Sequence, residues 1–358
     1  MKTIVSLLFA ISFALGLAAQ NSTDSRYIDS LAKADNFNGT ILVQSKNKVS
    51  YHKAFGYANL EFKIASNAET KYWIASVTKL FTSLLIMQLY ESGKLDLNKT
   101  IGNYLPEYKG EGRDKVTIHQ LLNHTSGIGN MDKVTSIEQA LQNGLPPYQK
   151  PMSISGMMNL FCSDSLVNEP GKVFDYNNAD FIILGNIIEK LYNKSYEEVL
   201  IEKIIQPLQM KNTGLLHQQD IIEGLADTYF YRDDIKKLVP DLPVYHDNWY
   251  SAGSMYSTTT DLLKFANALF GLKLVKQETL EKMFVSGAGE YGYGTWVYED
   301  YKINNKMYKI IKRPGGIMGA QTVVFHIYGT GSTIIVLSNT ANLDMDRFVA
   351  RIAKHTGL

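Results

Sequence analysis

The sequence predicts an α/β protein of the α+β kind: one antiparallel sheet built from both chain ends, flanked by helices, with an all-helical subdomain beside it. Three observations point there. A hairpin signal lies near the N-terminus, a series of strand-like runs lies near the C-terminus, and the stretch between them has short helical patterns and few strand signals. The implied division is an export signal over residues 1–19, a sheet-and-helix domain formed by 20–93 and 251–358, and a helical subdomain over 94–250.

Lys2, an apolar run over residues 4–15 and the small residues Gly16, Ala18 and Ala19 have the three-part form of a cleavable signal. The run is short for a bilayer span, so no stable membrane span is expected after cleavage and the mature chain is expected to be periplasmic or secreted. No cysteine follows the small residues, which argues against a lipid anchor. Cys162 is the single cysteine and cannot form an internal disulfide, so the core must hold the fold.

Residues 25–34 have helical spacing, and residues 39–44 and 49–55 read as two strands around the polar turn Ser45-Lys46-Asn47-Lys48. From Ser76 to Glu91 the chain is apolar nearly all round, which marks a buried helix, and Ser92-Gly93 supplies its stop. Helical patterns follow at 118–122, 137–142, 154–161, 179–192, 196–205 and 260–270. Strand-like runs come at 293–298, 306–311, 322–327 and 332–337, the last two joined by Tyr328-Gly329-Thr330-Gly331, and a final helix covers 344–355. Hydrophobic residues make up 45% of the chain, as in an ordinary globular protein. With 36 Lys+Arg against 35 Asp+Glu the net charge is +1, and no basic run is present, so no nucleic-acid partner is expected.

A serine becomes a useful nucleophile only beside a base. Ser-x-x-Lys occurs four times, at Ser30/Lys33, Ser45/Lys48, Ser50/Lys53 and Ser76/Lys79, and only Ser76 opens a buried helix. Residues three apart share a helix face, so Lys79 is brought beside Ser76, and poor solvation lowers the lysine pKa. An N-cap serine with a snorkelling lysine has the same pattern. A second element, Tyr176-Asn177-Asn178, precedes an apolar helix: a phenol near an ammonium can relay its proton, and the Asn178 amide can orient both lysine and substrate, although the same residues also suit a polar helix cap. The third, Arg313-Pro314-Gly315-Gly316-Ile317-Met318-Gly319, lies between two strand signals. Its glycines permit close backbone approach to a ligand, the Gly316 N–H suits an oxyanion, and Arg313 suits a substrate carboxylate; a bulged strand start with a surface arginine fits the same residues.

Other chemistries lack their signatures. No Gly-x-Ser-x-Gly elbow occurs. His119 and His124 are five apart, which misses the spacing of a helical metal pair, so they read as structural and neither metal nor cofactor is expected.

These three elements in this order resemble the serine beta-lactamase family of the class C type, with its D-Ala-D-Ala carboxypeptidase and esterase relatives. The resemblance runs from about Phe37 to the C-terminus and includes Phe37-Asn38-Gly39-Thr40-Ile41-Leu42-Val43, the run from Thr117-Ile118-His119 through His124-Thr125-Ser126-Gly127-Ile128, Ser257-Thr258-Thr259-Thr260-Asp261-Leu262 and Tyr291-Gly292-Tyr293-Gly294. It implies a beta-lactamase/transpeptidase-like fold and a penicillin-recognising serine hydrolase working through an acyl-enzyme. In that reading Ser76 is the nucleophile, Lys79 its partner, Tyr176 the general base and Asn178 a substrate ligand, with Gly315 and Gly316 lining the substrate strand and the Ser76 and Gly316 amides forming the oxyanion hole. The family's third motif usually begins Lys-Thr-Gly or His-x-Gly, whereas this chain has Arg313-Pro314, which argues against efficient lactam hydrolysis. Small-molecule or peptide substrates follow, including cell-wall-derived ones: a beta-lactam, a D-amino-acid peptide, a muropeptide or a small ester. The alternative is a binding or sensor protein on the same scaffold that acylates slowly or not at all.

Overall fold

The computed structural model describes residues 24–356. The expected export signal therefore lies outside the described residues. Six strands form the main sheet in the order Trp296–Ile303, Lys306–Ile317, Ala320–Ile327, Ser332–Ser338, Gly39–Ser45, Lys48–Phe55. Every pairing is antiparallel, and Gly39 sits opposite Ser338, so the N-terminal hairpin is joined to the C-terminal meander as expected. The hairpin turn works because Lys46 and Asn47 both take positive φ, the left-handed conformation that matches strand twist in a two-residue loop.

Alternation along the central strands explains the layers. Ile41 and Val43, Val323 and Phe325, and Ile334 and Val336 point to one face, where they meet Ile28 and Leu31 of the 24–34 helix and Phe348, Val349 and Ile352 of the Met345–His355 helix. Leu42, Val324, Ile335 and Leu337 point to the other and join the core of the Thr78–Glu91 and Thr259–Phe270 helices. The strands are buried on both faces, which is why they read as continuous apolar runs. That second core continues without a break into Ile182, Ile183 and Leu184 of the Asn178–Tyr192 helix, so the sheet region and the helical region share one interior.

The expected helices at 118–122, 137–142, 154–161, 179–192 and 260–270 are present within a residue or two. Two differences matter. The 94–250 stretch is not all-helical: Tyr229–Arg232 pairs with Lys237–Pro240 and, in parallel, with Thr340–Ala341, while Gly214–Leu215 pairs with Met255–Ser257. These strands are two to four residues long, too short to leave a period-two signature. The glycine-rich segment at 313–317 is also no connection between strands. It is the end of the Lys306–Ile317 strand, laddered from Arg313 opposite Val324 to Ile317 opposite Ala320. Among the described residues no helix is long and apolar enough to cross a membrane.

Candidate active site

The nucleophile candidate sits on a strained turn rather than on the first turn of a regular helix. Ala75–Val77 forms a 3-10 turn ahead of the Thr78–Glu91 helix, and Ala75 has φ +46°, an unfavourable value for a residue with a Cβ. The turn is fixed by the Thr78 hydroxyl, which donates to Ala75 O at 2.7 Å, and by its position against the sheet. Every residue from 72 to 87 is buried except Ser76, which alone reaches the surface.

Lys79, one turn on, is fully buried. Its ammonium Nζ donates to Asn178 Oδ1 at 2.6 Å, to Ala252 O at 2.8 Å and to Ser76 Oγ at 3.1 Å. Two of these acceptors are fixed, so the third tetrahedral position of Nζ is aimed at Ser76, presenting a proton when Lys79 is charged and a lone pair when it is neutral. Burial pulls the Lys79 pKa down to about 8; the nearby Tyr176 opposes the fall and the Arg313 charge adds to it.

Tyr176 enters from the loop before the Asn178–Tyr192 helix, where Asn177 caps the helix by accepting from Ala179 N. Its Oη lies 2.9 Å from Ser76 Oγ, and its ring stacks on Trp296 at 5.8 Å. Burial alone raises a phenol. Here the charges of Arg313 and Lys79 outweigh it and bring the Tyr176 pKa down to about 8. Serine, lysine and phenol thus share one proton-exchanging cluster in which neither base is locked in its charged form.

Arg313 occupies a different place from the one expected. Its side chain is 1% exposed, and Nε donates to Ser76 O at 2.6 Å, Nη1 to Tyr291 Oη at 2.8 Å and Nη2 to Tyr176 Oη at 2.7 Å. A guanidinium committed to three internal acceptors behind the nucleophile is not placed to bind a substrate carboxylate. The geometry makes it the fixed positive charge under the phenol instead. The bulged, surface-exposed reading of this arginine fails on the same burial.

Gly315 shows why a glycine is needed. A Cβ there would stand 2.4 Å from Ile74 O, 2.5 Å from Thr322 Oγ1 and 3.1 Å from Ser76 N, so the strand backbone lies directly against the nucleophile turn. The ladder to the Trp296–Ile303 strand ends at Trp296 opposite Lys312, so among the described residues no strand pairs with Gly315 and Gly316 on that edge. An open strand edge beside a nucleophile is where a substrate backbone and an oxyanion donor belong.

Asn178 is the first helical residue, and it links the cluster to groups that the sequence did not single out. Its Nδ2 donates to Asp132 Oδ2 at 2.7 Å and lies 3.3 Å from Tyr148 Oη, and Tyr148 donates to Asp132 Oδ1 at 2.6 Å. Tyr148 lies flat on Trp249 at 3.7 Å, which fixes this wall of the site. Asp132, Tyr148 and the Ala252 carbonyl had no motif to mark them, because they come from loops and a short helix without periodicity, whereas Tyr291 belongs to the family-like run Tyr291-Gly292-Tyr293-Gly294. His119 is bonded to Tyr293 at 2.7 Å, and His124 is buried beneath Tyr176.

The family description Beta-lactamase matches residues 25–356. The teichoic acid D-alanine hydrolase of Staphylococcus aureus is 27% identical over 334 residues, covering 89% of this chain and 74% of that protein. Among solved structures, a penicillin binding protein from Bacillus halodurans superimposes with a TM-score of 0.77 at 24% identity, covering 91% of this chain and 98% of the other. The D-amino acid amidase of Ochrobactrum anthropi SV3, solved with D-phenylalanine, gives a TM-score of 0.78 at 21% identity, covering 95% and 99%.

Proposed function

The chain belongs to the beta-lactamase family, and from that premise we propose that it is an extracytoplasmic serine hydrolase that cleaves an ester or amide through a Ser76 acyl-enzyme. One observation supports this above the rest: Ser76, the one partly exposed residue of an otherwise buried turn, has its Oγ within hydrogen-bond reach of both Lys79 and Tyr176. Both partners have pKa values brought down to about 8, where a group can accept a proton and return it.

In the forward half-reaction Tyr176, as phenolate, takes the Ser76 proton while Oγ adds to the carbonyl carbon. Lys79 and Arg313 hold the phenolate before transfer, and Lys79 remains on Oγ as the bond forms. The oxyanion lies at the Ser76 amide and the open Gly316 edge. Collapse of the tetrahedral intermediate breaks the bond to the leaving group, and Tyr176 returns the proton to it. Water then enters, gives a proton to Tyr176 and attacks the acyl carbon; Ser76 leaves and is reprotonated from Tyr176. Asn178, between Lys79 and Asp132, aligns the lysine and offers its amide to the acyl group.

Substrates bearing a D-aminoacyl or small acyl group suit the site better than a lactam. The similarity to a D-alanine hydrolase and a D-amino acid amidase supports this, as does Pro314, which offers neither hydroxyl nor N–H on the substrate strand. The test is intact-mass spectrometry of the protein with a short-chain nitrophenyl ester, with a D-alanyl ester and with a fluorescent penicillin, using Ser76→Ala as control. An adduct or turnover that disappears in the variant is expected for the esters. Full hydrolytic activity in Ser76→Ala would overturn the assignment.

A further inference from the structure

Beneath the Tyr176 ring lies a pair of titratable groups that the reaction does not use. His124 and Asp180 are both wholly buried, with His124 Nδ1 2.8 Å from Asp180 Oδ2. The backbone N–H of Asn177 also points at His124 Nδ1, at 3.3 Å. A ring nitrogen that receives an N–H has its lone pair outward and bears no proton of its own. The hydrogen in the 2.8 Å contact then belongs to the carboxyl. We propose that Asp180 is a neutral carboxylic acid donating to Nδ1 of His124, and that this uncharged pair is the positioning device that seats the Tyr176 segment under Ser76.

The surroundings agree. Among the described residues His124 Nε2 finds no hydrogen-bond partner, which is costly for an imidazolium and suits a neutral ring. The histidine ring is packed among aromatic rings, with centroids 4.4 Å from Tyr176, 5.0 Å from Tyr291 and 5.1 Å from Phe181. Burial, then the charges of Lys79 and Arg313, hold the His124 pKa well below its usual value. Burial raises Asp180 far above the carboxylate range; Ser126 and Lys79 oppose the rise and Asp175 adds to it. Tyr291, Cys162 and Tyr108 also face Asp180 and none supplies a positive charge.

The pair is joined to the catalytic loop by main chain as well as by ring contact. His124 O accepts from Asp175 N at 2.9 Å and Nδ1 from Asn177 N, so the histidine grips the residues on both sides of Tyr176. His124 itself is held at φ +55°, a conformation that the rest of the fold must impose. Neutrality matters for the chemistry: a carboxylate here would favour charged Lys79 and oppose ionisation of the phenol, the reverse of what Arg313 does.

This inference rests on Tyr176 being the proton acceptor, and its test separates the two. Infrared difference spectra between unlabelled and 13C-aspartate protein, recorded well above pH 6 because burial pushes the Asp241 carboxyl up to about 6, should show the C=O stretch of a protonated carboxylic acid that is lost in Asp180→Asn. That readout is independent of activity. Asp180→Asn keeps a donor for Nδ1, so kcat/KM should stay within about threefold and the acid limb of the pH profile should not move. Asp180→Ala removes the donor and should lower kcat about tenfold with little change in KM. Absence of the acid band, or an Asp180→Asn variant that loses activity as the alanine variant does, would overturn the proposal. Retained activity in Tyr176→Phe would overturn the mechanism and leave the infrared result standing.

Discussion

Replacing Arg313 by glutamine should move the pH dependence of the reaction rather than its substrate preference. Arg313 Nη2 stands 2.7 Å from Tyr176 Oη, in a site where the guanidinium is buried and the phenol is half-buried. Placing the guanidinium charge roughly 4 Å from the phenolate oxygen, an effective dielectric of about 20 gives an attraction of about 4 kcal/mol. At about 1.4 kcal/mol per pK unit that is on the order of three units, enough to offset the burial that raises a phenol. Without it the Tyr176 pKa should climb from about 8 to its ordinary value of about 10 or above. A general base works when deprotonated, so kcat/KM rises with pH up to that midpoint. At pH 7 the phenolate fraction falls from roughly one tenth to one thousandth, a loss of about 100-fold in kcat/KM. The assay is hydrolysis of a neutral nitrophenyl ester across the pH range, with circular dichroism to confirm that the variant is folded. Arg313→Lys retains the charge without the three-way fork, and its limb should fall between the two. A folded Arg313→Gln variant whose limb stays near 8, or which loses only affinity for acidic substrates, would refute the reasoning.

Gly315→Ala should cost activity and stability together, because its Cβ meets backbone and hydroxyl atoms at 2.4 and 2.5 Å that belong to the nucleophile turn and its neighbouring strand; a drop of about 1–3 kcal/mol in urea unfolding is expected with it. Asn178→Ala removes the 2.6 Å bond to Lys79 and frees Asp132, so kcat for the ester should fall about 10- to 100-fold, the worth of one or two charge-assisted bonds. Phe81→Ala opens the stack on Phe265, at 3.8 Å within the shared core, and should lower unfolding free energy by about 3–5 kcal/mol without altering the pH profile of what remains folded.

The parts of this molecule that were legible in its sequence are those where one local pattern has one structural meaning. The Gly39–Ser45 and Lys48–Phe55 hairpin announced itself through a polar four-residue turn between apolar runs, and the Thr78–Glu91 helix through the absence of any polar face except Lys79. Ser76, Lys79 and Tyr176 could be picked out because their chemistry needs neighbours at short spacing or at a helix entrance, and the structure brings them together across 100 residues. Arg313 could not be read in the same way. A charged residue before a proline and two glycines is ordinarily a surface residue, and its actual position depends on three acceptors, at Ser76, Tyr176 and Tyr291, that are remote in sequence and one of which is a backbone carbonyl. The same holds for His124 and Asp180: a histidine in a loop and an aspartate in the first turn of a helix each have a commonplace explanation alone. Only their meeting, with the Asn177 amide fixing which atom bears the proton, turns two bland residues into part of the site. Composition and periodicity report what a residue can do; in this fold the long-range packing of one core decides what it does.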